Sequence, residues 1–219
     1  FVGAALAAKG VALRLKESRL KPFPPVARSA VCRKITGLNF NEVVMKKTAL
    51  DKKWHLARDD YEVGLTELEF SILRVSAAFD RWRSDCMACC LDASLSGADT
   101  SVLHVVRMHD RPKSISEIGR LLNRDDLSNL QYGIRKLVNA GVIEKAGDND
   151  SKKGVTYVVT QLGCEVTDSF AEFRRELLIS LTQSTSTDTS LADIARILNL
   201  LSGIYDQASC IAATHRAMP

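Results

Sequence analysis

The sequence predicts a mainly α protein with one small β-hairpin, an α+β chain, and three observations carry that class. Apolar residues recur in steps of three and four through most of residues 65–211. Serine, threonine or aspartate stands near the start of several of these runs, and these residue types cap helix N-termini. One β-rich pair of segments, 142–145 and 155–160, flanks a polar turn bounded by Gly147 and Gly154.

The elements follow in order. Thr66 and Glu69 have capping-box spacing, so a helix is expected from Thr66 to about Leu95, stopping at Gly97, with Leu68, Ile72, Val75, Phe79, Trp82 and Cys86 on one side. Asp99 or Thr100 is placed to cap a second helix that holds Val102, Leu103, Val105 and Val106 and ends at Asp110-Arg111-Pro112. Ser114 and Glu117 suggest another box opening a short helix through Leu122. A polar turn, Asn123 to Asp126, leads to a helix whose buried stripe is Leu127, Leu130, Ile134, Leu137 and Val138. Gly141 stops it. Strands 142–145 and 155–160 come next, then a helix from Leu162 to Gln183, a Ser/Thr-rich connector at 184–190, and a last amphipathic helix from Leu191 to about Ile211.

Charge is unevenly spread along the 219 residues. The net value is +4, yet residues 1–53 hold twelve Lys or Arg and three acids, while the remaining 166 hold 18 basic and 23 acidic groups. Residues 1–53 are expected to be a basic N-terminal extension, poorly ordered or foreign to the native chain. Lys21-Pro22-Phe23-Pro24-Pro25 breaks any helix within it, and Met45 stands as an alternative start. No apolar run approaches the roughly 18 residues that cross a bilayer. Six cysteines lack regular spacing, which fits reduced thiols in a cytoplasmic protein better than a secreted disulfide framework.

Two helices joined by a tight turn, followed by a hairpin with a basic tip, make a winged helix-turn-helix. Residues 114–163 resemble the DNA-binding core of the MarR family of bacterial transcription regulators. The likeness rests on Ser116 to Leu122, on Leu137 through Gly141-Val142-Ile143-Glu144-Lys145, on Asp148 with Lys152-Lys153, and on Thr160-Gln161-Leu162-Gly163. Flanking helices in matching order extend it over about 65–211. Tyr132 stands where the family often has arginine, and the wing carries lysines where arginines are usual and Asn149 where proline is common. The resemblance implies long flanking dimerisation helices: 65–111 supports and dimerises, 112–163 is the DNA-binding lobe, and 164–211 completes the dimer. It further implies a homodimer on palindromic double-stranded DNA, with a small-molecule effector seated between the long helices and the lobe.

The outward face of the 127–139 helix carries Ser128, Asn129, Gln131, Tyr132, Arg135 and Lys136, with Arg124 in the turn before it. An α-helix fits the major groove, where Asn129 and Gln131 can bond adenine edges with both amide atoms. Arg135 can take guanine or phosphate, and Ser128 near the helix start suits a phosphate. Lys152 and Lys153 at the hairpin tip would reach the minor groove or backbone.

Other chemistry has thinner support. Cys86, Cys89 and Cys90 form a candidate redox-sensing group with Arg81 and Arg83 close by, although packing is the simpler role. One CxxC without a second ligand pair is a poor zinc signal, and the spacing of His104 and His109 does not fit one helical face. No phosphate loop, dinucleotide fingerprint or nucleophile–base set is present, so neither enzymatic activity nor a cofactor is expected. The competing expectation is a winged-helix dimer that binds proteins as a scaffold.

Overall fold

The computed structural model describes residues 54–146, 154–184 and 189–216. The expected basic extension, the wing tip with Lys152 and Lys153, and most of the connector lie outside the described residues. The first helix, α1 (Asp60–Cys90), begins earlier than the capping-box spacing suggested. Asp59 is its cap, its carboxylate accepting the Glu62 amide at 2.9 Å, and Thr66 sits inside the helix, where its hydroxyl donates to the Glu62 carbonyl. An aspartate in extended conformation followed by acids in the first turn suits the helix dipole, which favours negative charge at this end.

The second boundary also moves. α1 ends at Cys90, and Gly97 opens α2 (Gly97–Arg107) rather than closing the helix before it. Ser96 is the cap and Asp99 the third helical residue of a complete capping box: the Ser96 hydroxyl accepts the Asp99 amide, and the Asp99 carboxylate accepts the Ser96 amide. A 3₁₀ turn, Met108–Asp110, follows, with left-handed φ at His109 (66°) and Asp110 (44°).

Next come β1 (Lys113–Ser114), α3 (Ile115–Leu121), α4 (Leu127–Asn139), β2 (Ile143–Ala146), β3 (Thr156–Val159) and α5 (Gln161–Phe173). The three strands form an antiparallel sheet in the order β1-β3-β2, with Ile143 opposite Val159 and Lys113 opposite Tyr157. β1, two residues long, is an element that periodicity could not show. The expected single helix from Leu162 to Gln183 is α5 continued by one π-helical segment, Arg174–Ile179, and a short α6 (Ser180–Ser184).

Five elements lean on α2, which packs against α1, α3, α4, α5 and β3. Its Val102, Leu103 and Val106 are buried together with Met87 and Leu91 of the α1 end, Ile118, Leu130, Ile134 and Leu137 of the helix-turn-helix, Val142, Ile143, and Val166 of α5. Each fully buried aliphatic side chain of this set contributes roughly 1.5–3 kcal/mol. The C-terminus of α2 is closed by a charge: Lys113 is 0% exposed, and its ammonium donates to the carbonyls of Val106, Met108 and Arg111. Burial lowers its pKa, and Arg111 lowers it further.

Contacts divide the chain into two compact units, one ending at Leu178 and one beginning at Ile179. The second contains α7 (Leu191–Arg216), where Ser190 accepts the Asp193 amide. Leu191, Ile197, Leu198, Leu200, Ile204 and Ile211 of α7 are all exposed.

Thr160 and Gly163 join the hairpin to α5. The Thr160 hydroxyl donates to the Gly141 carbonyl at 2.7 Å and accepts the Gly163 amide at 3.1 Å, while the Thr160 amide donates to the Val142 carbonyl. A Cβ at Gly163 would lie 2.0 Å from the Val142 oxygen, so no larger residue fits without displacing the strand. Gly163→Ala is therefore expected to lower unfolding stability by about 3 kcal/mol. Gly64→Ala in α1, where a Cβ meets nothing, should be neutral or stabilising by up to about 1 kcal/mol. Urea denaturation of the two variants checks both values.

Candidate nucleic-acid interface

The helix-turn-helix corner forms where α3 ends. Leu122 donates to the Ile118 and Gly119 carbonyls, Asn123 adopts a left-handed φ of 50°, and the Arg124 amide returns to the Gly119 carbonyl at 2.9 Å. Asp126 then caps α4: its carboxylate accepts the Asn129 amide at 3.0 Å and the Asn129 side-chain amide as well. The backbone bond from Asn129 holds the Asp126 carboxyl below its ordinary value. The box expected at α3 is only half made. Ser114 accepts the Glu117 amide, while the Glu117 carboxylate pairs with Arg111.

α4 divides sharply into two faces. Leu130, Gly133, Ile134 and Leu137 are buried, and Ser128, Asn129, Gln131, Tyr132 and Arg135 are exposed, Tyr132 at 60%. Two expectations for the buried stripe are corrected. Leu127, on the first turn with its side chain beside Gly119 of α3, is 42% exposed, and Val138 is half-buried. Arg124 is half-buried beside the same helix. Asn129 has one amide donor committed to Asp126, which leaves its other N–H and its oxygen for a ligand.

Lys136 departs from its expected surroundings. Its ammonium pairs with the Asp99 carboxylate, the side chains being 31% and 8% exposed. Burial opposes the charge on Asp99, but bonds from Lys136 and from the amide and hydroxyl of Ser96 outweigh it and hold the carboxyl below its ordinary value. Sequence reasoning had no place for this pair, although the Ser96-x-x-Asp99 spacing was there to read as a capping box.

Two clefts border α2. One of about 480 Å³ lies between its N-terminus and α4, lined among others by Ser96, Asp99, Arg124, Asn129, Tyr132 and Lys136. The other, of about 470 Å³, lies between α2 and α5 and is lined by His104, Arg107, Thr167, Asp168, Phe170 and Arg174. His104 packs its ring edge on Phe170 at 4.6 Å. Burial, with Arg107 and Arg83 nearby, lowers the His104 pKa, and its Nε2 has no hydrogen-bond partner among the described residues.

The candidate thiols occupy the end of α1. Cys86 and Cys90 are buried core residues, the Cys90 thiol donating to the Cys86 carbonyl at 3.2 Å, and Cys89 is exposed. The hydrogen bond with Cys90 and burial push the Cys86 thiol up, which disfavours the nucleophilic thiolate. Among the described residues no group of three or more His, Cys, Asp or Glu could hold a metal ion, and no helix is long and apolar enough to cross a membrane.

Residues 95–163 match the model of a winged helix DNA-binding domain. No curated protein sequence matches the chain. Among solved structures, AbfR of Staphylococcus epidermidis, in its reduced form bound to DNA, is 16% identical with a TM-score of 0.53, covering 66% of this chain and 93% of its own. The MarR family transcription regulator SP03579 is 13% identical with a TM-score of 0.51, covering 68% and 93%. RV1404 from Mycobacterium tuberculosis is 17% identical with a TM-score of 0.50, covering 67% and 97%.

The Asp99–Lys136 pair predicts a pH dependence. The folded carboxyl lies below the roughly 3.9 of an unfolded aspartate, so its stabilisation is complete above about pH 4 and is lost as pH falls through the folded value. Asp99→Asn is expected to cost about 2 kcal/mol at pH 7. The gap from wild type should narrow as the pH of the urea titration is lowered from 4 to 3; a constant gap would contradict the pairing. Residues 95–163, which match the winged helix DNA-binding domain model, lie within a fold that this chain shares with the MarR family transcription regulator SP03579.

Proposed function

We propose that the protein is a cytoplasmic transcription regulator that reads double-stranded DNA by inserting the polar face of α4 into the major groove. The observation that carries this reading is the state of that face: Ser128, Asn129, Gln131, Tyr132 and Arg135 are exposed on a helix whose opposite side is sunk in the core. A polar helical face that a protein leaves uncovered, rich in amides and a guanidinium, matches the donor and acceptor pattern of base edges. Arg124 and Ser128 take phosphate, and Lys152 and Lys153 extend the contact to the flanking backbone. AbfR, which shares the fold, is solved bound to DNA, and this supports DNA as the partner here.

A homodimer completes the reading. Leu65, Leu68, Leu73, Val75 and Phe79 of α1 and the apolar residues of α7 are exposed in the single chain, which supports a second copy as their cover. A two-fold dimer reads a palindrome with half-sites about one helical turn apart. An effector has the cleft between α2 and α5 to enter, where Arg107, Thr167, Asp168 and Arg174 supply charged and polar groups beside the Phe170 ring.

Selection from random duplex DNA followed by fluorescence anisotropy tests the proposal. The selected site should be palindromic, and binding should weaken steeply as salt rises. Gln131→Ala/Arg135→Ala should lose at least about tenfold in affinity, since a good base contact is worth roughly 1–3 kcal/mol. A well-folded dimer that selects no sequence would overturn the regulator reading and favour a protein-binding scaffold.

A further inference from the structure

The contact between α2 and α4 is built differently from the packing around it. α2 and α4 share aliphatic packing through Val102, Leu130 and Ile134, but near the N-terminus of α2 a carboxylate is added to that contact. Asp99 Oδ2 accepts the Ser96 amide at 2.9 Å and the Ser96 hydroxyl at 2.8 Å, so the capping box fixes it before α4 arrives. The same oxygen receives the Lys136 ammonium. The other oxygen, Oδ1, faces Gly133, where a Cβ would stand only 2.9 Å away. Residues 133 and 136 are one turn apart on one face of α4, so the carboxylate touches the helix at two successive levels. A glycine inside a helix is less favourable than an alanine. Its use here is to let the carboxylate come against the backbone.

We propose that the Asp99–Lys136 pair, seated over Gly133, is the positioning contact that sets the rotation of α4 on α2, so that Lys136 governs DNA selectivity through Asp99 and not by touching DNA. This rests on the DNA-binding reading. A helix with side chains is roughly 10–12 Å across, so a turn of about 20° about its axis moves the exposed tips by about 2 Å. A bidentate base contact tolerates only about 0.5 Å. Freeing Lys136 to reach a phosphate would leave the Asp99 charge buried and unpaired close to a polyanion, which opposes a direct contact. Asn129 and Tyr132 border the same cleft as the pair, so a rotation at Lys136 reaches the base-reading face at once.

The test uses the full chain, the duplex selected by wild type and a scrambled duplex. Lys136→Met, Asp99→Asn and the double variant are each expected to lose about tenfold or more on the selected site. Scrambled-duplex affinity should stay within about twofold and the salt slope should not change, the double variant being no worse than either single one. Lys136→Arg should restore binding. The proposal is overturned if Lys136→Met weakens both duplexes alike and flattens the salt slope by about one charge, or if Asp99→Asn tightens binding. A DNA-free reading separates the two levels: in fluorotyrosine-labelled protein, the Tyr132 resonance, assigned with Tyr132→Phe, should shift or broaden in both single variants. Should wild type bind no duplex, the regulator reading fails and the Tyr132 resonance alone decides the positioning role, an unchanged line in both variants overturning it.

Discussion

α2 is a helix whose middle is dry and whose two ends must still be satisfied. The first four amides and last four carbonyls of any helix lack partners within it, and α2 has core on most sides. Its N-terminus is closed by Ser96 and Asp99, and the carboxylate that completes the cap also holds Lys136 of α4. At the other end the ammonium of Lys113 takes the Val106 carbonyl of α2 together with the Met108 and Arg111 carbonyls just beyond it, and Lys113 belongs to β1 of the sheet. Satisfying one buried helix thus fastens both parts of the winged lobe, the helix that faces solvent and the sheet that carries the wing.

The consequence for function is a division of labour along α4. Residues 130, 133, 134 and 137 give the helix its seat, and residues 128, 129, 131, 132 and 135 are left free for a partner. The cap Asp126 takes up part of Asn129, and Asp99 takes up Lys136, so fewer polar groups are free than composition suggests. Since the chain beyond residue 53 has more acids than bases, attraction to a polyanion depends on where its cations stand.

Much of this architecture was legible in the sequence. Steps of three and four pointed to α1, α4, α5 and α7, cap residues pointed to α2 and α3, and the Thr160-x-x-Gly163 motif noted in the resemblance marks a junction that proves sterically closed. The start of α1 was misread because Thr66-x-x-Glu69 and Asp59-x-x-Glu62 share a spacing of three, and it is at Asp59 that the backbone is extended and the cap made. Gly97 looked like a stop because glycine is strongly enriched just past helix ends and only modestly at their starts. The Lys136 pair and the buried Lys113 could not be read at all. Each joins residues from separate elements, and a lone lysine in sequence carries the mark of a solvated surface.

The most direct test of the central claim, that the free face of α4 enters a DNA groove, is crosslinking from that face. A photoreactive residue placed at Gln131 should react with bases in two tracts of the selected duplex, spaced about one helical turn apart. The same group at Leu68 of α1 should leave the DNA unmarked. Equal labelling from the two positions, or none from Gln131 in a protein that still binds the duplex, would contradict the account.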